Sequence, residues 1–200
     1  MKKGKNVSFL FFAFALVCLL NACVPAVSMK HEMLTKGDMK RGAVVVGTIS
    51  NQRADENGGE SFETLGKVRN AYGNPFDLKA ESGRDIDVLL REVVMASLEH
   101  VGYSSDQAAG EFFRLDIDVL KFWCDGYMGY KIESELAVKL INSTNGKILA
   151  QKSINVQKGF PLGFGTYNPM YNAFNEVIND IQKELVVFMK SERFQTAAKR

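Results

Sequence analysis

Hydrophobic positions follow two different periods along this chain, and each change of period marks an element. The chain opens on an apolar run from Val7 to Leu20, broken only by Ser8. After a polar stretch, Gly42 to Ser50 is a β-branched run that predicts a buried strand. From Asp85 the period becomes helical. Ile86, Leu89, Leu90, Val93, Leu98 and Val101 recur near 3.6-residue spacing, with Asp85 placed to cap the helix and Gly102 to stop it at C′. The period then falls to two. Phe113, Leu115, Ile117 and Val119 alternate with Arg114, Asp116 and Asp118, which predicts a strand with one face buried and one wet. Leu120, Phe122 and Trp123 break that alternation, as though both faces were covered there.

A second alternating strand, about Lys131 to Ile141, puts Ile132, Leu136, Val138 and Leu140 on one face against Glu133, Glu135 and Lys139 on the other. Asn145-Gly146 then signals a hairpin, because both residue types tolerate positive φ. Its returning strand carries Ile148, Ala150, Ile154 and Val156. An aromatic, glycine-rich loop runs from Gly159 to Tyr167, and Asn168-Pro169 opens a last helix whose apolar face is Met170, Ala173, Phe174, Val177, Ile178, Ile181, Leu185 and Phe188. Residues 51–82 are rich in Gly, Asn, Asp and Glu with scattered apolar islands; a structureless loop of that length is uncommon, so further order or function is expected there. The order is strand, open region, helix, three antiparallel strands, helix. It predicts an α+β two-layer sandwich, a mainly antiparallel sheet with both amphipathic helices on one face.

The first apolar run is too short to cross a bilayer as a helix, which takes about 20 residues. Lys2, Lys3 and Lys5 precede it and small residues follow it, which is the layout of a secretory signal. A buried N-terminal helix or a short membrane anchor is the alternative reading. Leu20-Asn21-Ala22-Cys23 resembles the lipobox, the cleavage motif of bacterial lipoprotein signals, with Asn21 a less usual occupant of its variable position. The resemblance implies cleavage between Ala22 and Cys23, diacylglycerol on the Cys23 sulfur and a third acyl chain on the new amino group. Two or more acyl chains anchor a protein stably, at about 0.8 kcal/mol per buried methylene. Cleavage by an ordinary signal peptidase near Ala26 or Ser28 would instead release a soluble protein. The expected divisions are a signal at 1–22, a lipidated cysteine and polar tether at 23–41, one periplasmic domain at 42–191, and a frayed polar tail at 192–200.

Losing the signal removes three lysines, leaving 22 basic against 23 acidic side chains. No basic stripe interleaved with aromatics remains, so nucleic acid is not an expected partner. Cys18 leaves with the signal and Cys23 is lipidated, so Cys124 is the one thiol left, and it cannot form an intramolecular disulfide. Beside Trp123 at the end of an apolar strand, Cys124 reads as packed rather than reactive. One spare cysteine and two isolated histidines, His31 and His100, do not make a zinc cluster, so no metal or cofactor is expected beyond the covalent acyl groups.

Taken whole, the sequence resembles the YajG-type family of small bacterial lipoproteins. The resemblance rests on the lipobox, on Ser82 to Val93, on His100-Val101-Gly102-Tyr103, on Tyr130, on the Asn145-Gly146 hairpin, and on Asn175, Val177, Ile178 and Asp180. It implies a periplasm-facing domain on the outer membrane; Val24 after the cysteine agrees, since the inner-membrane retention signal of enteric bacteria is Asp there. No catalytic constellation stands out. Asp116 and Asp118 share a strand face, a spacing that serves paired carboxylates, but alternating charge on a solvated face explains them equally well. The glycines around Phe164 are not followed by Gly-Lys-Ser/Thr and make no phosphate loop. Tyr127, Tyr130, Phe164 and Tyr167 stand in two loop regions flanking the three-strand segment, and either meet a partner protein or fold back on the core. The expected role is a non-catalytic accessory or scaffold for an envelope assembly. The alternative is a lipid or glycan carrier, which needs an apolar groove between helices and sheet.

Overall fold

A computed structural model describes residues 26–38, 41–69, 74–105, 113–126, 129–160 and 168–199. Six strands form one mixed sheet: β1 (Val44–Asn51), β2 (Thr64–Arg69), β3 (Pro75–Lys79), β4 (Phe113–Gly126), β5 (Tyr130–Asn142) and β6 (Ile148–Phe160). The helices are α1 (Ile86–Val101), α2 (Asn168–Lys190) and the short α3 (Glu192–Ala197). Antiparallel pairing joins β4 to β5, β5 to β6 and β2 to β3, as the alternating patterns require. β1 and β2 both run parallel to β4 along the same edge, β1 against Phe113–Val119 and β2 against Cys124–Gly126. Both main helices lie on one face, α2 along β6 and α1 against β1 and α2.

The break in the β4 alternation is a bulge, not a strand covered on both faces. Register shifts between Val119 and Lys121, which leaves Leu120 turned outward. Before it Leu115, Ile117 and Val119 point inward; after it Phe122 and Cys124 do. One extra residue inverts parity, so the same face stays buried along the strand. Phe122 stacks on Phe174 of α2 with ring centroids 6.1 Å apart, and both rings are fully buried. Phe122 and Phe174 thus pack between the sheet and α2.

α1 ends as its sequence predicts. Gly102 has φ +95°, its N–H bonds to the Glu99 carbonyl, and the Tyr103 N–H bonds to Leu98. These two bonds are a Schellman motif. At the other end Asp85 holds the N-cap backbone position without a side-chain cap bond.

Two stretches depart from their expected form. Residues 26–38 are not a free tether but a strap against the domain, with Val27 and Met29 fully buried. After Ser191 the chain does not fray: Ser191 Oγ accepts the Phe194 N–H, and α3 buries Phe194 edge-on to Phe188 and Tyr103. Phe194, Ala197 and Ala198 are spaced as a helical face, and one aromatic is enough to pin a single turn.

Candidate functional site

The strap is the feature that connects the folded domain to the lipidation motif. Val27 bridges in parallel to Ala80, just past the end of the edge strand β3. Its N–H donates to the Lys79 carbonyl at 2.8 Å, and its carbonyl accepts from Glu81 N–H at 3.0 Å. The strap then follows α2. Lys30 N–H donates to Asn175 Oδ1 at 2.8 Å and Glu32 N–H to Asn179 Oδ1 at 2.9 Å, while Asn179 Nδ2 donates back to Glu32 Oε1 at 3.2 Å. Asn175 and Asn179 are four apart, so one helix face presents both acceptors to an extended chain.

His31 sits between the helices, its Nδ1 3.4 Å from Gln182 Nε2 and its Nε2 4.0 Å from Glu92. Farther along, His100 Nδ1 donates to the Thr35 carbonyl at 2.8 Å, which leaves Nε2 to accept from Lys190 at 3.4 Å. Gly37 N–H reaches the Glu99 carbonyl, and a Cβ at Gly37 would lie 2.5 Å from the His100 carbonyl oxygen, so only glycine lets the strap come this close. Both histidines read as isolated in sequence thus fasten the strap. The asparagine pair was visible as residues, but nothing local showed that they would face residues about 145 positions away.

The strap runs parallel to β3 at Val27 and parallel to α2 from Lys30 to Glu32. β3 is antiparallel to β2, and β2 is parallel to β4. At Val27 the strap therefore runs antiparallel to β4. The end of the sheet where β4 finishes carries Arg69 paired with Pro75, Val68 paired with Gly126, and Tyr130 paired with Phe160. The Asn142–Lys147 turn lies at the opposite end.

Cys23 and Ala22 lie outside the described residues, as do Tyr127, Phe164 and Tyr167. Tyr130 is placed by its backbone pairing with Phe160 at the sheet end just defined. Between Ser28, Lys30, His31, Met33, Glu81 and Arg84 lies an open hollow, bordered by the Arg84–Glu92 ion pair at 3.1 Å.

The acidic pair on β4 serves the sheet. Asp116 accepts from Arg114 Nε at 3.1 Å and from Thr48 N–H at 3.0 Å, where β1 bulges between Val46 and Ile49. Asp118 is bonded to Lys139 and accepts from Ser50 Oγ at 2.6 Å. Partial burial opposes ionisation of Asp118, but the bonds from Lys139 and Ser50 outweigh it and hold the carboxyl below its usual range. Glu133 joins Lys121 and Lys131, both at 2.7 Å, and is likewise held low. Asp118–Lys139 and Lys121–Glu133 cross between β4 and β5, and Arg114–Asp116 and Lys131–Glu133 are neighbours on one face of a single strand, all on the wet side of the sheet. Cys124 is fully buried, and burial followed by the charge of Asp125 pushes its thiol up to about 12. It is therefore not a thiolate at neutral pH.

Sequence reading missed Arg53, which is 5% exposed. Its guanidinium donates to the carbonyls of Thr64 at 2.8 Å, Phe122 at 3.1 Å and Ser61 at 2.5 Å, and its Nε to Asn51 Oδ1 at 2.9 Å. The ring of Phe62 lies 5.9 Å away. Arg53 fills the gap on the β4 edge between the end of β1 and the start of β2, where carbonyls would otherwise lack donors. Burial lowers its pKa to about 10, so it stays charged at neutral pH. Among the described residues no three His, Cys, Asp or Glu side chains are placed to hold a metal, and no helix is long and apolar enough to cross a membrane.

No family model matches the sequence, and no curated protein matches it. Solved structures do match. A Xanthomonas campestris protein of family DUF330 is similar with TM-score 0.61 and 18% identity, covering 88% of this chain and all of that one. An uncharacterized protein is similar with TM-score 0.50 and 12% identity, over 82% of this chain and 98% of that one. A minor lipoprotein from Acinetobacter baumannii matches more weakly, with TM-score 0.41 and 13% identity over 56% of this chain and 85% of that one. At these identities the first two likenesses establish a shared fold, and the third carries no weight. Membership of the YajG-type family is not among what they establish.

Proposed function

We propose that this protein is a lipid-anchored, non-catalytic envelope lipoprotein, held on the outer membrane with its domain in the periplasm, where it serves as an accessory or scaffold of an assembly. The observation that carries this reading is Leu20-Asn21-Ala22-Cys23, following three lysines and an apolar run of signal length. The YajG-type resemblance supports the same placement. The role of the acidic and thiol groups supports a non-catalytic reading: Asp116 and Asp118 are taken up by Arg114 and Lys139, and Cys124 is buried with a raised pKa. Tyr127, Tyr130, Phe164 and Tyr167 are the residues we assign to partner contact.

The test of the anchor is metabolic labelling with radioactive palmitate. Wild-type protein should take up label and fractionate with the outer membrane. Cys23→Ala should take up none and appear as uncut precursor or soluble protein. Undiminished label in Cys23→Ala would overturn the anchor. Crosslinking before detergent extraction tests the scaffold role. One envelope protein should be recovered reproducibly, and less of it with Phe164→Ala.

A further inference from the structure

An open sheet edge offers backbone N–H and C=O groups to any strand that can lie beside it. Among the described residues β1, β3 and β6 each have a single strand neighbour. Two of these edges are closed. β1 is bulged between Val46 and Ile49, and Arg91 of α1 reaches its Val46 and Gly47 carbonyls at 3.5 and 3.4 Å. β3 is short, opens on Pro75 and meets the strap, where Val27 takes up the Lys79 carbonyl and the Glu81 N–H. β6 has neither device. From Ala150 to Phe160 it follows β5 without a register shift and without proline, about 36 Å of strand at roughly 3.3 Å per residue. We propose that β6 pairs antiparallel with β6 of a second copy, about a two-fold axis at Ile154, so that two sheets become one.

Charge selects this occupant. On the wet face β5 presents Lys131, Glu133, Glu135 and Lys139, whereas the edge strand presents Gln151, Ser153, Asn155 and Gln157, all exposed and none charged. A two-fold axis at Ile154 sets Gln151 opposite Gln157 and Ser153 opposite Asn155. These amides and hydroxyls both donate and accept, so each pair can bond across the joint. On the helix face the same register sets Lys152 opposite Val156 and Lys158 opposite Ala150. Like charges meet on neither face.

Lysines that point inward from an edge strand ordinarily guard it against pairing. Here both are matched within their own chain. Lys152 Nζ lies 2.5 Å from Glu184, and Lys158 Nζ lies 2.9 Å from Asp180 and 3.7 Å from Glu176. Lys183 joins the same group through Asp180 at 3.1 Å. The side of α2 that overlies β6 is therefore balanced in charge. Val187, two turns beyond Asp180 on that side, is 59% exposed and adds apolar surface beside the joint. Pairing through the one open edge of each chain is closed by its two-fold axis, so assembly stops at a dimer. The inference goes beyond the scaffold role and does not depend on lipid at Cys23.

Disulfide trapping in membranes tests it on the full chain, with two differently tagged copies made in one cell and oxidised with copper phenanthroline. Opposite residues of antiparallel strands have Cβ atoms about 4.5–5.5 Å apart, within reach of a disulfide after small shifts. Ser153→Cys with Asn155→Cys, and Gln151→Cys with Gln157→Cys, should join the two tags. Ser153→Cys with Gln151→Cys, and Asn155→Cys with Gln157→Cys, are four residues out of register, about 13 Å, and should join them at least fivefold less. The parent chain, with Cys23 and the buried Cys124, sets the background. Adding Ser153→Lys and Asn155→Lys to both tagged copies places lysine opposite lysine, and should lower the Gln151→Cys with Gln157→Cys product at least fivefold. Asn155 lies beside Glu135, so the lysine there has a partner within its own chain and the fold should survive. Equal trapping of matched and mismatched pairs would overturn the proposal. So would trapping of a different protein in place of the tagged copy, or trapping that persists with the added lysines.

Discussion

The sheet has two halves built on different principles. In the half made by β4, β5 and β6, long antiparallel strands put a mainly apolar face under α2, interrupted at Ser134 and Lys152, with Leu115, Ile117, Leu136, Val138, Leu140 and Ile154 all buried. In the half made by β1, β2, β3 and the strap, strands are short or bulged and polar groups close the gaps. Arg53 fills the break between β1 and β2, Asp116 accepts the Thr48 N–H that the bulge releases, and two asparagines hold the strap. The first half is held by area removed from water, which has no direction. The second depends on individual hydrogen bonds, each strong only while its partner is in place.

The largest effects should fall on the first half. Phe122→Ala opens a cavity against Phe174 and should cost about 3–5 kcal/mol, with one cooperative unfolding transition. Arg53→Ala should cost about 2–4 kcal/mol, because the carbonyls of Ser61, Thr64 and Phe122 lose their donor while buried. The two losses should differ in kind. Hydrogen exchange in Arg53→Ala should rise first at 51–69, with β5 and β6 still protected. Equal loss of protection across all six strands would show that the halves do not behave separately.

The same division decides what the sequence disclosed. Periodicity reveals faces, so α1, α2 and β4 to β6 were legible, and Gly102 marked its helix end correctly. The bulge at Leu120 could be seen only as broken alternation, since parity inversion and double burial leave the same trace over so few residues. The strap was illegible for another reason. Val27 and Met29 are two apolar residues in a polar stretch, and their burial depends on partners near Ala80 and Asn175 that no local pattern indicates. Arg53 lay in a segment without any period, where a basic side chain reads as solvated.

A smaller effect is expected at the strap. Asn179→Ala removes the acceptor for Glu32 N–H and should cost about 1 kcal/mol. Exchange of the Lys30 and Glu32 amides should then quicken about fivefold, at a conversion of about 1.4 kcal/mol per decade, while β5 amides stay unchanged. Strap amides that already exchange at the unfolded rate in the wild type would show that the strap is not held.

The smallest effect separates the halves by pH. Asp118 and Glu133 are held below their ordinary values of 3.8 and 4.5, and Asp180, through Lys158, below 3.8. Because the folded values are the lower ones, these groups stabilise the fold fully above the ordinary values. That contribution is lost as pH falls through the folded ones. All three are partly solvated, so each should contribute about 1 kcal/mol or less. Urea midpoints should therefore be flat from pH 7 to about 5 and decline below 4.5. Asp118→Asn should cost most at neutral pH and progressively less at pH 3. The Arg53 cluster contains no carboxylate, only carbonyls and Asn51, so the cost of Arg53→Ala should stay constant over the same range. A cost for Arg53→Ala that falls in acid as that of Asp118→Asn does would mean that the guanidinium is balanced by an acidic group, and not by carbonyl dipoles alone.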